Sequence, residues 1–415
     1  MIRNIRRLMR GDTGQTSPVF LFSLSIFFWT IFDSIMSYIT PLLMEDHGLS
    51  TSMIGLVIGF SSVAGAIFDF VICKIFKNTD FRRVILAMFV ICFTYPMLLW
   101  QANSVGMFLF AMAVWGVYYD LLGFGMFNFV GKYIKRDDHS SSFGIIQIFR
   151  ALGSIVALLV ISWIVTDVVD WRTFSAAWVV LAIGFLLFLV LLYGLRRRHP
   201  DVVESFKRPR RKHLLIEVHL WEKLGKLMIP VLMVTFYLLF IDAFFWTLAP
   251  LYAEESAFAG FGGLFLTAYV LPELMVGWFI SPLTNHFGKK RTAYLCLLTG
   301  SLILSSFFFI ESPILSIFVV FIASMFINLA YPAVNSSYAD YISDAPQVDG
   351  EIEGLEDFFV NMGYVFGPLA AGILAEILSI PAAFSILGLM GAILAVVLLI
   401  AGPKHIIIKT KQSEL

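Results

Sequence analysis

Three aspartates sit where charge is costly. Asp33 lies inside an apolar run from Val19 to Leu43, with Pro41 eight residues on. Asp242 repeats the arrangement, with Pro250 eight residues on, and Asp120 lies inside a third apolar run. A carboxylate near the centre of a membrane-length segment marks a proton relay, an ion or substrate path, or a counter-ion. Such a group is a candidate for exchanging a proton or meeting a cation. Asn328 holds the corresponding place in a fourth run. It belongs to Ser324, Asn328, Tyr331 and Asn335, spaced i, i+4, i+7 and i+11 on one helical face. The same spacing around Asp120 collects Gly116, Gly123 and Phe127. These amides face a cavity or bond between helices, and both readings stand. Glu273 follows Pro272 inside another run, where a structural hydrogen bond and a coupling role stand side by side. Trp29, Trp246, Tyr119 and Tyr331 are candidate aromatic walls for an organic cation.

The rest of the chemistry is excluded more simply. None of the seven histidines falls inside an apolar run, which argues against a histidine relay or a buried metal site. No nucleophile elbow, zinc-spaced histidine pair or Gly-rich phosphate loop appears, so an enzyme is not expected. No cofactor, metal or nucleic-acid partner is expected either. Three cysteines, Cys73, Cys92 and Cys296, make no disulfide framework.

The elements that must hold these residues follow from composition. The chain is 59% hydrophobic and only 14% charged, with a mean hydropathy of +0.86. Soluble domains carry about a quarter charged residues. Twelve apolar runs are each long enough to cross a bilayer, and in lipid they must be helices. They fall near 19–43, 52–73, 84–100, 105–130, 142–165, 173–194, 229–252, 262–283, 292–310, 314–337, 355–378 and 382–402. The predicted fold is an all-α integral membrane protein with twelve spans in two six-helix halves. Its parts are a tail 1–18, a first half 19–195, a basic linker 196–228, a second half 229–402 and a tail 403–415. Leu214 to Leu227 reads as a surface helix within the linker. The basic start, with Arg3, Arg6, Arg7 and Arg10, reads as a cytoplasmic tail rather than a signal peptide.

Of the 29 Lys and Arg, all but Arg150 and Arg172 fall on one face of this threading. That places both termini in the cytoplasm, with the chain in the cell membrane. The halves are repeats. Shifted by 209 residues, Asp33 falls on Asp242, Pro41 on Pro250 and Glu45 on Glu254; shifted by 208, Arg83 falls on Arg291, Asp120 on Asn328 and Tyr133 on Tyr341. Parallel repeats place a substrate site near the midplane. Central polar groups recur in spans 1, 4, 7 and 10, which should line a wet centre. Spans 3, 6, 9 and 12 lack them and should face lipid.

The chain resembles the major facilitator superfamily. The loop from Ser281 through Asn285, Gly288, Lys289 and Lys290 to Arg291 is similar to the family's motif between spans, with Ser281 for its first glycine and Asn285 for its acid. The first-half copy departs from it: Lys77 stands for the acid and Asp80 for the glycine, before Arg82 and Arg83. In the family this acid helps hold the cytoplasmic gate shut. Glu356 and Asp357, placed at the start of span 11, offer a replacement partner for Lys77 or Arg82. Alternatively they complement a helix N-terminus. Gly363, Gly367 and Pro368 resemble the family's glycine-proline signature, while Arg150 to Ser154 on span 5 lacks the proline.

The resemblance implies a secondary transporter working by alternating access, as a monomer in the bilayer, with a small-molecule substrate. The acid set adds proton coupling, with the proton gradient as energy source, and export of an amphipathic or cationic compound. Proton symport or facilitated uptake of a small polar nutrient, such as a sugar, is the alternative. Lipid or lysolipid flipping is a third reading.

Overall fold

The structure is a computed structural model and describes residues 16–75, 80–134, 139–164, 169–195, 214–254, 258, 261–344 and 349–402. The order is α1 Thr16–Asp46, α2 Thr51–Ile75, α3 Phe81–Gln101, α4 Val105–Tyr133, α5 His139–Ile164, α6 Trp171–Leu195, α7 Leu214–Ala253, α8 Gly262–Val270, α9 Glu273–Phe287, α10 Lys289–Ser305, α11 Pro313–Asp344, α12 Asp349–Ile377 and α13 Ile380–Ala401. Among the described residues no strand occurs. Among the described residues eleven helices are long and apolar enough to span, and the pair Gly262–Val276 and Phe279–Phe287, bent by 67°, makes twelve when counted as one span. A spanning chain has no water for its backbone, so helices are the economical solution.

Two compact units form, residues 1–48 with 60–207, and residues 49–59 with 208–415. The first eleven residues of this second set, Leu49 to Gly59, come from the first sequence repeat, so the division is not the one read from the repeats. The basic linker is also shorter than expected. α7 starts at Leu214 and runs unbroken to Ala253, so the surface helix expected inside the linker is continuous with span 7. Nothing between Leu214 and Leu227 breaks a helix except Gly225, and one glycine costs only about 1 kcal/mol.

Pro41 and Pro250 lie inside α1 and α7 without ending them. Close packing is built on small residues. A Cβ on Gly153 of α5 would lie 2.7 Å from Phe27 O of α1, and one on Gly363 of α12 would lie 2.8 Å from Phe236 O of α7. The contact is therefore duplicated: Phe27 and Phe236 are 209 residues apart, Gly153 and Gly363 210 apart. Gly367 repeats it one turn on, 2.7 Å from Phe240 O. These glycines of the expected signature are close-packing positions.

Spans 6 and 12 each show an exposed apolar stripe, Val179, Leu186, Val190 and Tyr193 on α6, and Leu389, Ile393, Val397 and Ile400 on α13. Such stripes suit hydrocarbon. α10 (span 9) is mostly packed, with Leu302 exposed on it.

Candidate functional site

Asp33 is buried in α1 and is held by two adjacent phenols of α4. Tyr118 Oη donates to Oδ1 at 2.9 Å, and Tyr119 Oη donates to Oδ2. The two rings stack at 5.5 Å, which lets neighbouring helical residues converge on one carboxylate. Tyr118 is fully buried, whereas Tyr119 is 36% exposed, so Tyr119 forms the outer side of the site. Trp29, one turn before Asp33, stands edge-on to both tyrosines. Its Nε1 donates to Cys92 Sγ at 3.3 Å, and no part of it is exposed. Trp29 is thus a packing residue beneath the site, which corrects its reading as a cavity wall. Tyr95 extends the cluster, edge-on to Tyr118 and bonded to Thr40 at 3.1 Å. On the adjoining side Ser34 Oγ donates to Ser154 Oγ at 3.0 Å.

Asp242 in α7 is also held by two phenols, but they come from two different helices. Tyr269 Oη of α8 donates to Oδ1 at 3.0 Å, and Tyr364 Oη of α12 donates to Oδ2 at 3.0 Å. Glu273 and Trp246 act on the same carboxylate. Tyr269 stacks on Phe245 with centroids 3.9 Å apart, which fixes its ring. The partners of both carboxylates are tyrosines; sequence reasoning selected Tyr119 only as an aromatic wall and did not select Tyr118, Tyr269 or Tyr364. The Arg150 guanidinium of α5 also acts electrostatically on Asp33.

The chemistry follows from proton inventory. An ionised carboxylate only accepts, so both phenols can donate to it together. A protonated one carries its own O–H and no longer accepts from every side. A protonated carboxyl would weaken or reverse one of these phenol bonds, a local change in hydrogen bonding. At Asp33 that change lies between spans 1 and 4. At Asp242 it lies between span 7 and spans 8 and 11.

The remaining candidates take other places. Asp120 of α4 is half-buried against α2: a Cβ on Gly65 would lie 2.8 Å from its Oδ2. One turn earlier Gly116 packs on Ser61 O of α2. That part of the α4 face makes a helix contact. Phe127 on the same face is 67% exposed. On α11, Asn328 Nδ2 donates to Tyr269 O at 3.5 Å, and Ser324 Oγ to Ala268 O at 3.2 Å. Between the two readings of these groups, both make bonds between helices. Tyr331 is 39% exposed and bonds with Asn335.

Among the gate residues, Lys77 lies outside the described residues. Arg82 Nε lies 3.4 Å from Asp80 Oδ2, its Nη2 donates to Leu195 O at 3.4 Å, and its guanidinium sits 5.8 Å from the Tyr133 ring centre. Arg83, Asn285 and Arg291 are exposed. Gly288 has φ +81° between α9 and α10, a conformation that favours glycine. Asp80, the matching residue, has φ −70°, so its turn needs no glycine. Lys289 Nζ pairs with Asp340 Oδ1 at 2.6 Å and donates to Ser336 O at 3.2 Å, while Lys290 is half-buried. Glu356 and Asp357 do not start their helix. α12 begins at Asp349, two turns earlier. The helix dipole fades within the first turn, so the N-terminal reading of this pair is corrected. Glu356 acts instead on Tyr331 and Tyr338 of α11.

Comparison with known proteins gives four findings. A segment is 27% identical over 113 residues to Multidrug resistance protein 2 of Bacillus subtilis (strain 168), covering 27% of this chain and 26% of that protein. The chain spans about a quarter of that relative. The fold matches a bacterial homolog to the human lysosomal transporter Spinster, with a TM-score of 0.67 at 15% identity over 94% of this chain and 96% of that one. It also matches the nucleoside transporter NupG, with a TM-score of 0.70 at 14% identity over 93% and 98%. The sequence profile of the Major Facilitator Superfamily matches residues 20–350, and the chain belongs to that family of membrane transporters.

Proposed function

We propose that this transporter is proton-coupled, works by alternating access, and exports amphipathic or cationic small molecules. The observation that carries the reading is the buried Asp33 carboxylate under Tyr118 and Tyr119. Its hydrogen-bond donors are neutral, the phenols of Tyr118 and Tyr119 and the indole of Trp115, so gaining or losing a proton changes how many of them it accepts. Tyr119, exposed beside it, offers an incoming cation an aromatic face next to the acid. The short similarity to a multidrug resistance protein supports the same direction. No cofactor is needed beyond the proton gradient, and one chain in the cell membrane, with both termini cytoplasmic, carries the whole site.

Uptake of a small polar nutrient would draw on the amides of α11. Asn328 is engaged with Tyr269 O and Asn335 with Tyr331, which lowers the weight of that reading. Inverted membrane vesicles loaded by an imposed pH gradient test the proposal, with ethidium as probe. Gradient-driven ethidium accumulation, lost in Asp33→Asn, is expected. Accumulation indifferent to the gradient overturns it.

A further inference from the structure

Span 8 lacks a helical hydrogen bond where α8 ends at Val270 and α9 starts at Glu273, although Leu271 and Pro272 between them keep helical dihedrals. Pro272 has no N–H, so the carbonyl four residues back, Ala268 O, has no helical donor. In a membrane such a group must find another partner. Ser324 Oγ lies 3.2 Å from that oxygen and 3.1 Å from its own helix's Phe321 O, a three-centre contact. One turn on, Asn328 Nδ2 reaches the next carbonyl, Tyr269 O, at 3.5 Å. Two residues on one face of α11 therefore take two successive carbonyls at the end of α8.

Tyr269 joins this break to the acid. Its carbonyl is taken by span 10, its ring stacks on Phe245 of span 7, and its hydroxyl donates to Asp242. The backbone of α8 must stay in register with α11 for that hydroxyl to reach the carboxylate. We propose that Ser324 and Asn328 are positioning residues for Asp242: they hold the carbonyl end of α8 and so keep Tyr269 on the carboxylate. Neither touches the acid itself. The inference is independent of the cargo and of the direction of transport.

The test needs no substrate. Infrared spectra of the purified full-length protein are followed across a pH titration, and the carboxyl C=O band of Asp242 is assigned with Asp242→Asn. Tyr269→Phe shifts the midpoint of that band. The pair Ser324→Ala with Asn328→Leu shifts it in the same sense by at least half as much. Adding Tyr269→Phe to the pair moves it no further than Tyr269→Phe alone. Ser324→Thr with native Asn328 keeps the hydroxyl and the wild-type midpoint. A folded pair variant titrating like wild type overturns the inference, as does a triple variant shifting by the full sum. If the pair does not fold, Ser324→Ala alone is read by the same comparison: a shift towards Tyr269→Phe supports the inference, and a wild-type midpoint overturns it.

Discussion

Tyr364 donates its phenolic proton to Asp242 at 3.0 Å from a position that holds Ser154 in the first repeat. Ser154 accepts from Ser34 instead, at 3.0 Å. The backbone contact beneath both is the same, a glycine on a phenylalanine carbonyl, Gly153 on Phe27 and Gly363 on Phe236. Changes of residue type on a duplicated frame thus give the two acids different partners: Tyr364 stands for Ser154, and Phe326 and Ile327 stand for Tyr118 and Tyr119. Asp33 takes both donors from span 4, and Asp242 takes one from span 11.

Tyr364→Phe should destabilise the protein by about 1–3 kcal/mol, since a buried acceptor loses a donor and no water replaces it. Thermal unfolding in detergent reads this as a lower melting temperature. Asp242→Asn with Tyr364→Phe should cost less than the sum of the two single changes, because the amide no longer presents a charge to satisfy. Additivity would separate Tyr364 from Asp242.

Gly363→Ala should cost about 1–3 kcal/mol, because its Cβ would meet Phe236 O and Leu239 at 2.8 Å. Gly123→Ala, with nothing within 4 Å, should be neutral or stabilising. Melting curves of the two variants should separate clearly. Equal curves would remove the close-packing role.

Lys289→Ala should lower stability by about 0.2–1 kcal/mol, since its pair with Asp340 is substantially exposed. Added salt should shrink the difference from wild type. Gly288→Ala, at φ +81° and ψ 152°, should cost about 1–3 kcal/mol and be insensitive to salt. Melts at low and high salt distinguish the two.

Much of this was legible in the sequence, for reasons that differ by residue. Asp33 and Asp242 stood out because charge is rare in apolar runs, and their shared offset to Pro41 and Pro250 exposed the duplication. Gly363 and Gly367 were legible as packing positions because helices in lipid approach closely only at small residues. Tyr118, Tyr269 and Tyr364 were not legible, and Tyr119 was legible only as an aromatic wall. The chain has 14 tyrosines, and their role depends on the rotation of each helix, which apolar periodicity fixes poorly in a span buried on several sides. Tyr364 could have been found by extending the repeat to span 11, where Ser154 and Tyr364 align. Asn328 was visible as a polar residue in a span, but its partner is a backbone carbonyl, and carbonyls leave no trace in sequence. Pro272 was the available signal, since it frees Ala268 O by covalent structure alone. Glu356 and Asp357 were misplaced because the helix start lies in polar sequence, where hydropathy gives no boundary.

The central claim is that Asp33 carries the coupled proton. Purified protein in liposomes with an internal pH dye and ethidium as cargo tests it directly. Cargo addition should produce a proton flux through the wild type. Asp33→Asn should reduce that flux ~10-fold or more, a barrier or affinity change of at least about 1.4 kcal/mol, while ethidium binding measured by fluorescence persists. A cargo-driven proton flux through Asp33→Asn equal to that of the wild type would contradict it.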